Sequence, residues 1–185
     1  TDALSLEEEK LVALYGGELL DAEEMREQMW EIYSKYYAYT KQSFMERISS
    51  NNYYALYSVG ETLIGFTGLR IDEIEVNSKK NLMMYFGQTV IDQMYRGKSV
   101  FQLTGLKLCA KYWKQILMGK AHFWCDALTY KPYLIFARSL NEYYPSRKTE
   151  RPDEIKELMT KLGQKYYGES YCTETGTIKK ADKPR

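Results

Sequence analysis

Residues 82–102 read LMMYFGQTVIDQMYRGKSVFQ, and the fold turns on this stretch. Its first half, residues 82–91, is an apolar, partly β-branched run of strand length. A short loop with Arg96, Gly97 and Lys98 follows, and from Val100 onward apolar residues recur at helical spacing. The order strand, glycine-bearing loop, helix has a chemical consequence. Glycine lets the backbone approach a ligand, and the first-turn amides of a helix have no acceptor of their own. Those amides, the positive end of the helix dipole and the charges of Arg96 and Lys98 together attract phosphate. A plain strand-to-helix turn with solvated basic residues has the same pattern, so the surroundings must separate the two readings.

On the N-terminal side, residues 22–38 read as an amphipathic helix. Asp21 is placed to cap it, Glu23, Glu24 and Glu27 suit its first turns, and Met25, Met29, Ile32 and Tyr36 recur at helical spacing. A second helix, Lys41–Ile48, ends at the polar run Ser49-Ser50-Asn51-Asn52. The period then changes to that of strands: Tyr53–Val59, a turn at Gly60-Glu61, and residues 62–71 form a hairpin. A polar turn over residues 77–80 leads into the strand of residues 82–91.

On the C-terminal side, Val100, Leu103, Leu106, Lys107, Ala110, Trp113 and Leu117 keep one helix face largely apolar up to Gly119, a helix stop. Residues 121–126 form a short strand. Lys131-Pro132 opens a helix reaching Leu140, and Pro152 opens another over residues 153–166. No repeat or linker divides the chain, which predicts one domain over residues 1–172 and a flexible polar tail over 173–185.

Composition excludes several function classes. Among 185 residues, 26 basic and 25 acidic side chains give a net charge of +1, which argues against a nucleic-acid binder with a broad basic face. Cys109, Cys125 and Cys172 form no CxxC pair, and His122 is the single histidine, so neither a disulfide framework nor a metal centre is expected. No apolar run reaches the roughly 18 residues needed to span a bilayer. The acidic start lacks a signal-peptide pattern, making the cytoplasm the default location, although Thr1 leaves a trimmed leader open. The 18 tyrosines, paired at 36–37, 53–54, 143–144 and 166–167, suit either core packing or the wall of a groove.

Residues 91–100, IDQMYRGKSV, resemble the V-[DH]-P-x-[YF]-R-G-x-G-[IV] strand, loop and helix of the Gcn5-related N-acetyltransferases (GNAT). The order of the surrounding elements is similar to that family's α-α-β-β-β-α-β-α core. The resemblance implies an α+β fold with a mixed, mostly antiparallel sheet flanked by helices. Its central motif strand would splay from the next strand, residues 121–126, with a thioester in the gap. It also implies acetyl-CoA or another acyl-CoA as co-substrate. Val90 and Ile91 would lend backbone groups to pantetheine, and the amides of Tyr95, Arg96, Gly97, Lys98, Ser99 and Val100 would hold the pyrophosphate. Three positions depart from the family pattern: Gln93 replaces the proline, Met94 the usual Gln or Arg, and Ser99 the second glycine. A cradle made mainly of backbone tolerates such changes.

Acyl transfer to an amine needs a base for the nucleophile, a donor for the oxyanion and an acid for the leaving thiolate. Family members often use a glutamate near the motif strand and a tyrosine in the following helix. No glutamate lies between Leu82 and Val100; Glu73 and Glu75 precede it and read as solvated. Asp92 matches a position where the acid is often structural. Asp126 closes the second splayed strand and is a candidate to face the cleft, the alternative being a turn or cap residue before Leu128. Tyr130 and Tyr133 fall where the next helix would face the thioester, and Tyr133 is the preferred acid. His122 reads as packed and Cys125 as a small core residue.

The function expected is an acyl-CoA-dependent N-acyltransferase acting on a small-molecule or protein amine. The alternatives are a GNAT-shaped acyl-CoA-binding or partner-binding module without chemistry, and a transferase taking its acyl group from an acyl carrier protein. Arg96, Lys98, Lys107 and Lys111 would offer that carrier a basic patch, although a solvated helix face explains them equally well. The tyrosines would suit a homodimer face. The family closes with two further strands on the acceptor side; here they are either short and within residues 166–178, or the acceptor side is unusual.

Overall fold

The computed structural model describes residues 10–96, 100–126, 133–134, 137–138, 141–146 and 148–179. The chain divides into two compact units, one made of the chain up to Asp72 with Leu82–Cys125, the other of Glu73–Asn81 with the chain from Asp126 onward. Five strands form one sheet in the order β1 (Lys10–Gly16), β2 (Tyr53–Val59), β3 (Thr62–Val76), β4 (Lys79–Ile91) and β5 (Ala121–Trp124). β1 and β2 pair antiparallel, as do β2 and β3, whereas β4 and β5 run parallel.

In the first unit, β2 is buried on both faces, and this is what makes its sheet central. Tyr54 and Leu56 pack with Met29, Ile32 and Tyr33 of α1 (Glu23–Ser34) and with Phe44 and Ile48 of α2 (Lys41–Ile48). Ala55, Tyr57 and Val59 pack on the opposite face with Leu82, Met84 and Leu108, the last from α3 (Val100–Lys111). The α1–α2 side is aromatic: the Phe44 ring centroid lies 4.7 Å from Tyr33, 5.4 Å from Trp30 and 6.2 Å from Phe66. Full burial of each such side chain contributes about 1.5–3 kcal/mol.

Two irregularities shape the end of the sheet. Tyr57 pairs with Gly65 but Ser58 with Leu63, so Ile64 is an extra, bulged residue, and its carbonyl accepts the Asp92 amide at 2.8 Å. In β4, Met84 and Phe86 face the α3 side while Val90 faces α1 and α2. Even spacing along a regular strand keeps one face, so the alternation slips between Phe86 and Val90. The β4–β5 ladder runs from Leu82↔Ala121 to Tyr85↔Trp124 and stops there, while β4 continues to Ile91. β5 is thus paired along its whole length and ends at Trp124, and residues 86–91 of β4 extend beyond it.

Several sequence expectations need adjustment. β1 has no counterpart among them. Ala22, with no side-chain hydrogen bond, stands at the N-cap of α1 in place of Asp21, which belongs to a 3₁₀ turn. α1 ends at Ser34, so Tyr36 and Tyr37 lie in the loop before Thr40, whose hydroxyl caps α2 by accepting from the Ser43 amide at 3.2 Å. The largest change is in α3 and the short α4 (Trp113–Leu117): among the residues whose burial is described, Thr104 and Leu108 are buried, while Leu103, Leu106, Trp113 and Leu117 are exposed. The apolar face read from the sequence points outward.

In the second unit, Asn77 and Ser78 form a two-residue turn between β3 and β4 with φ of 50° and 61°, which keeps both strands longer than expected. Helix α5 (Asp153–Tyr167) begins after Pro152 with Asp153 and Glu154 at its positive end, and buries Leu158 and Leu162. Lys161 Nζ donates to the Glu75 carbonyl at 2.6 Å, linking α5 to the hairpin end. β6 (Tyr171–Cys172) and β7 (Thr177–Ile178) form a small antiparallel hairpin within residues 166–178, a two-stranded sheet of its own. Regular structure thus extends past Cys172, where the sequence reading starts the tail. Tyr133–Leu134 and Ala137–Arg138 are helical, and the rest of the helix expected over 131–140 lies outside the described residues.

Candidate functional site

Beyond the last β4–β5 pair, an open cleft of about 390 Å³ is lined by Tyr36, Tyr37, Thr89, Val90, Ile91 and Arg96. The direction of the β4 carbonyls decides what this cleft can bind. A Cβ added to Gly65 would stand 2.5 Å from the Val90 carbonyl oxygen, so that carbonyl faces β3. The Asp92 amide faces the same way, toward Ile64. Peptide groups alternate in direction along a strand, which turns the carbonyls of Thr89 and Ile91 to the other edge. Both accept from cleft side chains there: Thr89 O from the Tyr37 hydroxyl at 3.3 Å, and Ile91 O from Arg96 Nε at 2.9 Å.

The turn after β4 is tied to the same wall. Asp92 Oδ1 accepts from the Met94 amide at 3.0 Å, a structural role for this acid. The Gln93 amide donates to the Tyr36 hydroxyl at 2.8 Å, and the Arg96 guanidinium lies over the Tyr36 ring, 4.2 Å from its centroid. The Tyr95 amide donates to Asp92 O at 2.9 Å and the Arg96 amide to Gln93 O at 3.4 Å. Amides 93–96 are thus engaged within the turn or with Tyr36. Gly97, Lys98 and Ser99 lie outside the described residues, and Val100 starts α3.

A chain of hydroxyls leads from the cleft into the core. Thr89 Oγ1 lies 3.1 Å from Thr67 Oγ1, Thr67 Oγ1 2.6 Å from Tyr57 OH, and Tyr57 OH 2.9 Å from Thr104 Oγ1 in α3. Burial raises the Tyr57 phenol above its ordinary pKa, so it stays neutral and able to donate through the physiological range. The chain joins the cleft edge of β4, the neighbouring strands and the helix behind the candidate phosphate loop.

The candidate acid and base stand in the second unit. Asp126 follows β5 and is half-buried; Tyr133 is helical and half-buried, with its ring edge-on to Tyr143 at 5.9 Å. Tyr130 lies outside the described residues. Glu73 pairs with Lys80 at 3.3 Å on an exposed surface, as its solvated reading anticipates. His122 sits in β5 opposite Met83, and Cys125 follows that strand; both are half-buried.

The sequence reading did not assign Tyr36, Tyr37 or Thr89 to the site. Its signal was the tyrosine pair at 36–37, open to a groove-wall interpretation. The helix expected through residue 38 would have placed Tyr36 on a packed face.

No family model matches the chain, and no curated protein sequence matches it. Among solved structures, the chain is similar to a ribosomal-protein-alanine N-acetyltransferase from Brucella melitensis biovar Abortus 2308, with 12% identity, a TM-score of 0.50, and coverage of 78% of this chain and 100% of that one. An aminoglycoside 6'-N-acetyltransferase from Acinetobacter haemolyticus matches at 16% identity and a TM-score of 0.47, covering 80% and 99% of the two chains. A conserved protein of unknown function from Enterococcus faecalis V583 matches at 17% identity and a TM-score of 0.46 over 69% of this chain, which spans 32% of that one. The Brucella match, with the mostly antiparallel sheet and the parallel pairing of β4 with β5, establishes the class: the chain has the GNAT fold. Likeness at this identity speaks to fold and not to activity.

Proposed function

We propose that the protein is an acyl-CoA-dependent N-acyltransferase whose donor lies along the open edge of β4. The observation that carries this reading is the ladder that stops at Tyr85↔Trp124 while β4 runs on, leaving the Thr89 and Ile91 carbonyls on the cleft side. Pantetheine is an extended arm with two amides, and it can add to such an edge as a further strand would. Each carbonyl has two lone pairs, so the hydrogen bonds from Tyr37 and Arg96 leave room for a pantetheine amide. Val90 then serves through its buried side chain, with its carbonyl toward β3.

The pyrophosphate falls to the amides from Gly97 onward and the start of α3, because the Tyr95 and Arg96 amides are engaged. Arg96 contributes by holding Tyr36 as one wall of the cleft, and Lys98 supplies charge at the loop. In the reaction the acceptor amine attacks the thioester carbonyl carbon, the C–S bond breaks, and the thiolate takes up a proton while the amine loses one. Asp126 and Tyr133 are the proposed base and acid. The same reading places the protein in the cytoplasm.

Isothermal titration with acetyl-CoA and longer acyl-CoAs, on the wild type and on Gly97→Glu, tests the proposal. Micromolar binding abolished by the added bulk and negative charge, with an unchanged thermal melt, is expected. Absence of binding to every acyl-CoA would overturn it.

A further inference from the structure

Between Asp92 and Asp126 the chain has Arg96, Lys98, Lys107, Lys111, Lys114 and Lys120 and not one acidic residue, although its overall charge is only +1. The remainder of the chain is therefore net negative, and the protein is electrically lopsided. Three of these lysines lie on the exposed side of α3 and α4. The helical hydrogen bonds Tyr112 N to Leu108 O and Ile116 N to Tyr112 O carry the winding from one helix into the other. At about 100° per residue, Leu103, Leu106, Ala110, Trp113 and Leu117 share an arc of roughly 80°. Lys107, Lys111 and Lys114 share the adjoining arc of roughly 60°.

The apolar half is exposed, from 39% at Leu103 to 77% at Leu117. No ion pair among the described residues involves the three lysines; Lys111 and Lys114 rest over the Tyr53 and Trp113 rings at 4.8 and 5.6 Å. An apolar ridge of this extent beside unpaired charge of one sign marks an interaction surface.

We propose that the α3–α4 face docks an acidic protein carrying its acyl group on phosphopantetheine, that is, an acyl carrier protein. The inference rests on the cleft being an acyl-phosphopantetheine site and names a macromolecular bearer of that arm. Charge complementarity selects an acidic partner, and the adjoining apolar arc selects one that presents an amphipathic helix. Position selects the cargo: α3 begins at Val100, directly after the candidate phosphate loop, and the ridge begins one turn later at Leu103. A carrier seated there would have its phosphate-linked arm on the side of α3 that follows the candidate phosphate loop in the chain. A second copy of the chain brings no acid on this face, so ridge-to-ridge contact sets lysine against lysine. An anionic bilayer satisfies the charge but supplies no thioester arm.

Titration with an acyl carrier protein in its apo form, which lacks the arm, reads docking alone, and a parallel titration with acetyl-CoA reads the cleft. The apo carrier is expected to bind the wild type, less tightly as salt is added. Binding weakens about tenfold or more both in the double variant Lys107→Glu/Lys111→Glu and in Leu106→Glu, while their affinity for acetyl-CoA shifts less than about threefold. No carrier binding at about 100 µM, or binding indifferent to these variants, overturns the proposal. So does binding only to phosphatidylcholine vesicles containing one quarter phosphatidylglycerol, which gives the face to a membrane, or a wild-type dimer that Leu106→Glu splits, which gives it to a second copy. Carrier docking that persists without acetyl-CoA binding supports the surface and overturns the acyl-CoA reading instead.

Discussion

The two helical layers of the first unit use their apolar residues in opposite ways. In α1 and α2, Met29, Phe44 and Ile48 have no exposed surface and Tyr33 keeps 2%. In α3 and α4, Leu103, Leu106, Trp113 and Leu117 lie outside, and the sheet is met by Leu108 and a threonine, Thr104. Similar helical periodicity thus supports a dense aromatic core on one side and an available ridge on the other. The first layer is expected to govern stability and the second to be nearly neutral in the isolated protein.

Phe44→Ala puts the greatest strain on that contrast. Removing the ring from among Tyr33, Trp30 and Phe66 is expected to cost about 3–5 kcal/mol, measured as a fall in the urea midpoint at unchanged slope. A loss below about 1 kcal/mol would mean that the aromatic layer does not anchor the unit.

Tyr57→Phe sharpens the comparison between the layers. On the α3 side the buried contacts include hydroxyl pairs, and this variant removes the Tyr57 bonds to Thr67 and Thr104. The expected cost is about 1–2 kcal/mol, with faster amide exchange in α3 and around Thr89 than in α1. Uniform exchange in both layers would show that the chain of hydroxyls does not couple α3 to the cleft edge.

Leu117→Gln should have the smallest effect, a change within about 0.5 kcal/mol by the same unfolding measurement. A loss approaching that of Phe44→Ala would break the comparison by showing that the ridge is covered within the chain.

Much of the fold was legible because strands and turns have local signatures. β2, the Gly60-Glu61 turn and the strand through residue 91 follow from β-branched and aromatic runs broken by turn residues, and Gly60 adopts the positive φ of 57° that such a turn uses. β1 went unread because KLVALYG is a short apolar run with no period to classify it. The turn after β3 is tighter than its polar composition suggests, since Asn77 and Ser78 complete it alone. In the candidate site, the loop from Arg96 to Val100 was visible as a motif, whereas Tyr36 and Tyr37 were absorbed into an extended helix.

The sequence by itself determined the types and order of the main elements from α1 to β5, and a glycine-bearing basic loop between a strand and a helix. Those features depend on residues within about a turn of one another, where spacing and backbone preference act directly. The tertiary structure alone decided that α3 shows its ridge to solvent, that the β4–β5 ladder ends at Tyr85↔Trp124, and that Thr89 and Ile91 turn their carbonyls to the cleft. Each outcome depends on which distant surface arrives to cover a face or satisfy a peptide group. The hydrogen bonds that build the cleft wall join Tyr37 to Thr89 across 52 positions and Tyr36 to Gln93 across 57, separations at which no local period carries information.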